Sequence, residues 1–241
     1  AAKIYDLNLS TKSRRLLTAK VLHLAQKFEG NRFFFPSNVD WRGRVYNIPA
    51  FLNVQNADPS RGLLQFYRDE KLKTKEDAEW LAIHGANTYG FDKVTLEERV
   101  QWAYDYADEA HLIASDPKGH LTWKDADKPW QHLAWCFEWD EFVKNGSVKS
   151  KLPCAQDATN NGLQLLACLT KCEETAYSTN AAPTPYPQDI YAVIASHVED
   201  KLRKDAANGN STASKWVAFG IDRKTTKRPT MVYPYGGTFY S

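Results

Sequence analysis

The chain has 241 residues, 43% of them hydrophobic and 25% charged, an ordinary globular balance that excludes a mostly disordered chain and allows one large domain or two small ones. Its formal net charge is only +2, so bulk charge does not announce a nucleic-acid binder. Between positions 201 and 228, however, Lys201, Arg203, Lys204, Lys215, Arg223, Lys224, Lys227 and Arg228 stand against only Asp205 and Asp222, a local basic surface of the kind that binds phosphates. Its 8 Trp, 12 Tyr and 11 Phe serve either core packing or base and sugar stacking. Cys136, Cys154, Cys168 and Cys172 form no CxxC or Cys/His grid, which argues against a zinc site or a disulfide framework and suits a reducing compartment. There is no signal peptide and no apolar run of membrane-spanning length.

In chain order, residues 10–28 read as a basic amphipathic helix with Ser10 or Thr11 as its cap. Phe33-Phe34-Phe35-Pro36 reads as a short buried strand, and Asp40 to Tyr46 as a polar turn back into extended chain. Residues 74–89 read as a helix capped by Thr74, with Trp80, Leu81, Ile83 and His84 on its buried side. Residues 95–114 predict one helix starting at Thr95 and closed by Asp116-Pro117. Residues 129–143 predict a Trp-rich helix, and Lys151 to Gln156 a strand leading into Asp157. Residues 161–176 return to helix, Ser178 to Pro187 is a loop, and Gln188 to Ala207 is an amphipathic helix with Gly209 just past its end. The fold class is therefore α+β and helix-rich, with a small sheet near Asp157.

Three stretches carry chemistry in a fixed order. The first is Asp40-Trp41-Arg42-Gly43-Arg44-Val45-Tyr46. The second is Gln156-Asp157-Ala158-Thr159-Asn160-Asn161-Gly162-Leu163-Gln164. The third runs Phe219-Gly220-Ile221-Asp222-Arg223-Lys224-Thr225-Thr226-Lys227-Arg228 and closes with Tyr235-Gly236. Together they resemble the D-x-x-G-R signature, motif A and motif B of the single-subunit RNA polymerases of phages and mitochondria. Ile83-His84-Gly85-Ala86-Asn87 and Gln188-Asp189-Ile190-Tyr191 are similar to further phrases of the phage enzymes. The resemblance covers nearly the whole chain; any one motif alone is weak, and the three in order are strong.

The resemblance implies a right-hand polymerase palm with part of the fingers: 1–30 a helical lead-in, 31–186 the first part of the palm, and 187–241 the start of the fingers. It implies templated nucleotidyl transfer with two Mg2+ ions, DNA template, RNA product and ribonucleoside triphosphates as partners, and no membrane. Asp157 becomes a catalytic residue and metal ligand, although an Asp before a helix is equally a helix cap. Related DNA polymerases usually carry a glutamate at the position of Gly162; a residue without a side chain there admits the ribose 2′-oxygen, or simply permits close helix packing. Arg223 and Lys227, four apart, share a helix face and suit a triphosphate, with Lys227 also a proton donor to leaving pyrophosphate; the plainer reading is a solvated basic face. Tyr235 lies near the incoming sugar or is a core tyrosine, Tyr191 lines the route by which nucleotide arrives, and Gly236 lets template pass closely. Arg42 and Arg44 neutralise nucleic-acid phosphate, or Asp40 and Arg44 form a structural ion pair in the turn. Pro229 and Pro234 fall where the family has continuous helix, so Pro229 is accommodated if the helix begins near Arg228, and Pro234 kinks it before Tyr235.

The family's second metal-binding aspartate sits in a His-Asp-Ser loop, and none of the six histidines here precedes an Asp. The expectation is that a second polypeptide or a downstream segment carries that loop. The alternatives are a non-catalytic nucleic-acid-binding remnant and a fragment of a related DNA polymerase. The expected location is the cytoplasm of a phage-infected bacterium, with the mitochondrial matrix as the alternative.

Overall fold

The structure, a computed structural model, describes residues 2–156 and 159–232. It is helix-rich α+β, and the chain divides into two compact units, Ala1–Ala155 and Gln156–Ser241. Among the described residues no helix is long and apolar enough to cross a membrane.

The first unit begins with α1 (Ala2–Phe28), followed by the antiparallel hairpin β1 (Ser37–Val39) and β2 (Val45–Asn47), in which Val39 lies opposite Val45. Next come α2 (Asp58–Gly62), β3 (Glu70–Leu72), α3 (Lys75–Tyr89), α4 (Leu96–Asp105), α5 (Ala107–Ser115), a 3-10 turn at Thr122–Asp125, α6 (Pro129–Asn145) and β4 (Val148–Ser150). Strand β4 pairs antiparallel with β3, Leu72 opposite Val148.

Helices α3 and α4 start where their capping signals stand. The Thr74 hydroxyl accepts the Asp77 N–H and the Asp77 carboxylate accepts the Thr74 N–H; Thr95 and Glu98 repeat the exchange. Each box satisfies two helix-end donors that would otherwise lack partners. Glycines with positive φ end α3 and α6, Gly90 at 113° and Gly146 at 64°, a backbone region open to residues without a Cβ.

The core of this unit is an aromatic ladder along one face of α6. Ring centroids lie 5.2 Å apart for His132–Trp135, 5.5 Å for Trp135–Trp139 and 5.5 Å for Trp139–Phe142. Both indoles are fully buried, and each N–H needs a partner there. Trp135 donates to the Leu81 carbonyl of α3 at 2.8 Å, and Trp139 to the Ala103 carbonyl of α4 at 2.9 Å. The ladder thus packs against two helices and bonds to both. Helix α3 comes close enough only because position 85 is glycine: a Cβ there would sit 2.1 Å from Trp135 Cε2.

Several expectations need correction. Helix α1 starts at Ala2, so Ser10 and Thr11 are mid-helix; Thr11 donates back to the Leu7 carbonyl at 2.8 Å instead of capping. Residues 33–35 are not a strand. Phe33 and Phe35 pack on a small cluster of Val21, Leu52 and Leu64, while Phe34 points outward under the Arg32 guanidinium, 4.9 Å from its ring; pairing begins only after Pro36. Trp80 is exposed, because α3 turns Leu81, Ile83 and His84 to the core instead. The predicted helix 95–114 breaks at Tyr106, whose ψ of 0° lays its ring on Trp102 at 4.7 Å and lets α5 pack on α6. Residues 151–156 are not a strand either. The ladder ends at Ser150, and Pro153 has no N–H to continue it.

The second unit holds α7 (Asn161–Thr170), α8 (Glu173–Ser178), α9 (Ile190–Ala207), α10 (Ser211–Phe219) and α11 (Arg223–Val232). The single helix expected over 161–176 breaks at Lys171, which adopts a left-handed φ of 54°. Helix α10 was not expected; Asn210 caps it, accepting the N–H groups of Thr212 and Ala213, both at 3.0 Å. Helix α11 starts at Arg223 and not near Arg228, so Pro229 sits inside it and offers no N–H to the Thr225 carbonyl.

Two measurements test this account. Gly85→Ala is expected to destabilise the first unit by about 3 kcal/mol, as over-packing of a rigid core does, read as a lower denaturant midpoint. His84 and His132 are buried, and burial above all pushes each down to about 4; nearby Lys128 and Arg61 add to the effect for His84. Unfolded imidazoles take up protons near 6.5 whereas these do not until about 4, so stability falls as pH drops through that window. Unfolding free energy is expected to be lower at pH 5 than at pH 7 by about 2 kcal/mol per histidine, and His84→Asn to flatten the dependence.

Candidate nucleotide and nucleic-acid sites

The second unit brings together residues from α9 and α11 that stand more than thirty positions apart. Asp189 caps α9: one carboxylate oxygen accepts the Tyr191 N–H at 3.0 Å. The other oxygen accepts Nε–H of Arg223, the first residue of α11. The Tyr191 ring lies beneath both cations of α11, 5.4 Å from the Arg223 guanidinium and 5.7 Å from Lys227 Nζ. Its carbonyl accepts the buried Thr226 hydroxyl at 3.1 Å, which fixes the register of the two helices. Asp222 begins α11 by accepting the Thr225 hydroxyl at 2.6 Å and its N–H at 2.8 Å, the hydroxyl foremost in holding this carboxyl below the usual range.

Arg223 and Lys227 therefore do share one face, as their spacing predicted, and that face is not merely solvated. It is an aromatic platform with two exposed cations on it, one tied at its Nε to a carboxylate. Such a surface attracts anions and can present Arg nitrogens to a pair of phosphate oxygens.

A polar relay fixes the start of α9. Asn180 adopts a left-handed φ of 60° and exchanges hydrogen bonds with Gln188, donating to its carbonyl at 2.8 Å and accepting its N–H at 2.7 Å. The same amide donates to Thr159 Oγ1 at 3.3 Å. Thr159 Oγ1 and Gln164 Nε2 both donate to the Thr179 carbonyl, at 2.8 and 2.7 Å. Thr159 follows Asp157 by two positions, and Gly162 lies half-buried in the first turn of α7. The downstream flank of Asp157 is thus linked through one asparagine to the helix that carries Asp189 and Tyr191. Asp157, Tyr235 and Gly236 lie outside the described residues.

In the first unit, the turn between β1 and β2 is built on Asp40. Its Oδ1 accepts the N–H groups of Arg42 and Arg44, both at 2.9 Å, and its Oδ2 accepts Nε and a terminal nitrogen of Arg42 at 3.1 and 3.0 Å. The ion pair is thus Asp40–Arg42, not the expected Asp40–Arg44. The Arg44 guanidinium is exposed and has no ion-pair partner among the described residues. Gly43 supplies the positive φ of 78° that closes the turn. The Arg44 backbone N–H, before all else, holds the Asp40 carboxyl below the ordinary range; the side chain and backbone of Arg42 add to it. Trp41, 91% exposed, stands beside the Arg42 guanidinium at 5.4 Å.

Asp189, Asn180 and Thr226 were not among the residues singled out from sequence. Asp189 lay inside the helix expected from Gln188, whereas α9 starts at Ile190 with Asp189 as its cap; Asn180 sits in a loop where nothing marks its partners.

Comparison with known proteins identifies the family. A family model described as DNA-dependent RNA polymerase matches residues 71–241. The chain is 34% identical to the DNA-directed RNA polymerase of Enterobacteria phage T3 over 98% of its own length and 29% of that protein's. It is 37% identical to the mitochondrial DNA-directed RNA polymerase of Neurospora crassa over 94% of its length and 16% of that protein's, and 36% identical to the human mitochondrial enzyme over 91% and 18%. The chain belongs to the DNA-dependent RNA polymerase family, in its phage-type form shared with mitochondria. It spans less than a third of the length of the curated relatives it matches.

The turn makes its own test. Asp40→Ala removes every carboxylate bond to Arg42 and Arg44 and is expected to abolish the hydrogen-exchange protection of their amides while α3 and α6 stay protected. In the unaltered chain the carboxylate's contribution is present at and above the ordinary aspartate range and is lost only as pH falls through the lower, folded value.

Proposed function

We propose that this chain is part of a DNA-directed RNA polymerase that performs templated nucleotidyl transfer with ribonucleoside triphosphates. The observation that carries this reading is the convergence of Arg223 and Lys227 on the Tyr191 ring: two cations on one helix face, inside the stretch that resembles motif B. In this reading Arg223 clamps phosphate oxygens of the incoming triphosphate. Lys227 neutralises the remaining charge and hands a proton to the departing pyrophosphate oxygen. Tyr191 supports both cations at the approach to the site. Tyr235 and Gly162 set sugar choice, Gly162 by leaving room for a 2′-hydroxyl. Arg42 and Arg44 neutralise phosphates of the template–product hybrid, Arg44 with no ion-pair partner among the described residues, and Gly236 allows the template strand to pass. In this reading residues 1–30 form the helical lead-in, 31–186 the first part of the palm and 187–241 the start of the fingers.

Asp157 is the metal ligand in this scheme. Among the described residues no three His, Cys, Asp or Glu side chains gather into a metal site. The donor set still fits magnesium, which keeps water and substrate phosphate in its shell and takes only one or two protein carboxylates. When bound, a pair of Mg2+ ions would stabilise charge on the attacking and leaving oxygens. A second carboxylate, from a His-Asp-Ser loop on a downstream segment or a second polypeptide, completes the reading. Phage-infected bacterial cytoplasm is the proposed location, and the mitochondrial matrix the alternative, since relatives of both origins match.

The test is templated RNA synthesis by the complete polymerase to which this chain belongs, with Mg2+. Asp157→Asn is expected to lower synthesis by about a hundredfold or more, as the loss of a key electrostatic group does, with nucleic-acid binding unchanged. Nucleic-acid binding without synthesis in either form, indifferent to Asp157, would establish a non-catalytic remnant. Preference for deoxyribonucleotides would establish a DNA polymerase.

A further inference from the structure

We propose that Asp189 is a positioning residue for nucleotide binding: it holds Arg223 by its Nε and so aims the two terminal nitrogens of the guanidinium at the triphosphate. The inference rests on the reading of Arg223 as a triphosphate ligand and adds to it a residue, 34 positions upstream, that makes that role possible.

A long side chain on an exposed helix start samples many rotamers, and ordering it on ligand binding opposes affinity. Here the freedom is already removed. The Asp189 carboxylate takes Nε of Arg223, and the guanidinium lies over the ring of Tyr191, its Cζ 5.4 Å from the ring centroid. Both restraints leave the forked end open: only Nε is engaged by Asp189, and the side chain remains 42% exposed. The terminal nitrogens are those that bind two phosphate oxygens in parallel. Asp189 is itself held in place by hydrogen bonds. Its other oxygen caps α9 through the Tyr191 N–H, and Thr226 ties the Tyr191 carbonyl to α11. The neighbouring Gln188 is locked by Asn180. A carboxylate in this place does not cancel the site's charge, because Lys227 shares the platform.

The experiment is a steady-state analysis of the complete polymerase with Asp189→Asn, Arg223→Ala and the double variant. Asparagine keeps an oxygen to cap α9 but turns a donor toward Nε, so helix capping is retained and the aim of Arg223 is lost. The expected result is a rise of about tenfold in KM for nucleotide, the scale of one charge-assisted hydrogen bond, with kcat within about twofold. In the Arg223→Ala background, Asp189→Asn is expected to add nothing. An unchanged KM for Asp189→Asn beside a raised KM for Arg223→Ala overturns the role of Asp189 and leaves the triphosphate reading intact. An equal effect in both backgrounds also overturns it, since Asp189 would then act only as a helix cap. If Arg223→Ala leaves KM unchanged, the triphosphate reading falls and this inference with it.

Discussion

The first unit depends on letting α3 come within contact of a flat indole. Trp135 needs a face to pack on and a carbonyl for its N–H, and α3 meets both needs within one turn, Gly85 giving the space and Leu81 the acceptor. Once that contact exists, Trp139 one helical turn further on meets α4 in the same way. The ladder sets the spacing of three helices at once. Bulky rings with a single polar atom suit this task, because they bury much area and ask for only one hydrogen bond. The price is intolerance: a dense interior has no slack for one additional carbon.

The second unit is organised differently. Its buried apolar residues among those described are mostly small, Ala167, Ala195 and Ala213 with Ile190 and Tyr191. Directional bonds do much of the positioning: Asn180 to Gln188, Thr226 to the Tyr191 carbonyl, Asp189 to Arg223. Side-chain hydrogen bonds to backbone fix direction more sharply than apolar contact does, and direction is what a site for a multiply charged ligand needs. Loops carry such residues because a rigid scaffold elsewhere frees them from packing duties.

What could be read from sequence follows the same division. Thr74 and Thr95 announced their helices because a capping box is a local exchange over three residues. The turn at Asp40 was legible for a similar reason, but its ion pair was not. A short carboxylate serves the guanidinium two residues on as readily as the one four residues on, and geometry chose Arg42. The breaks at Tyr106 and Lys171 had no glycine or proline to mark them; tertiary packing made the first, and a left-handed lysine the second. The cation pair of α11 was legible from its spacing of four. The carboxylate that steadies it was not, since the partners are 34 positions apart and no periodicity links them. Local chemistry is written locally, and long-range pairs are visible only once the chain has folded.

The distribution of tryptophans also makes the molecule an optical instrument. Trp135 and Trp139, fully buried and stacked 5.5 Å apart at an interplanar angle of 18°, are close enough for their transitions to couple and to share excitation, so near-ultraviolet dichroism reads the integrity of the first unit. Trp41 is 91% exposed in the turn between β1 and β2 and emits as an indole in water. A nucleobase stacking on it would quench that emission. The chain therefore carries its own probe for core order, and with the other exposed indoles, Trp80, Trp130 and Trp216, replaced, Trp41 would report on its own turn.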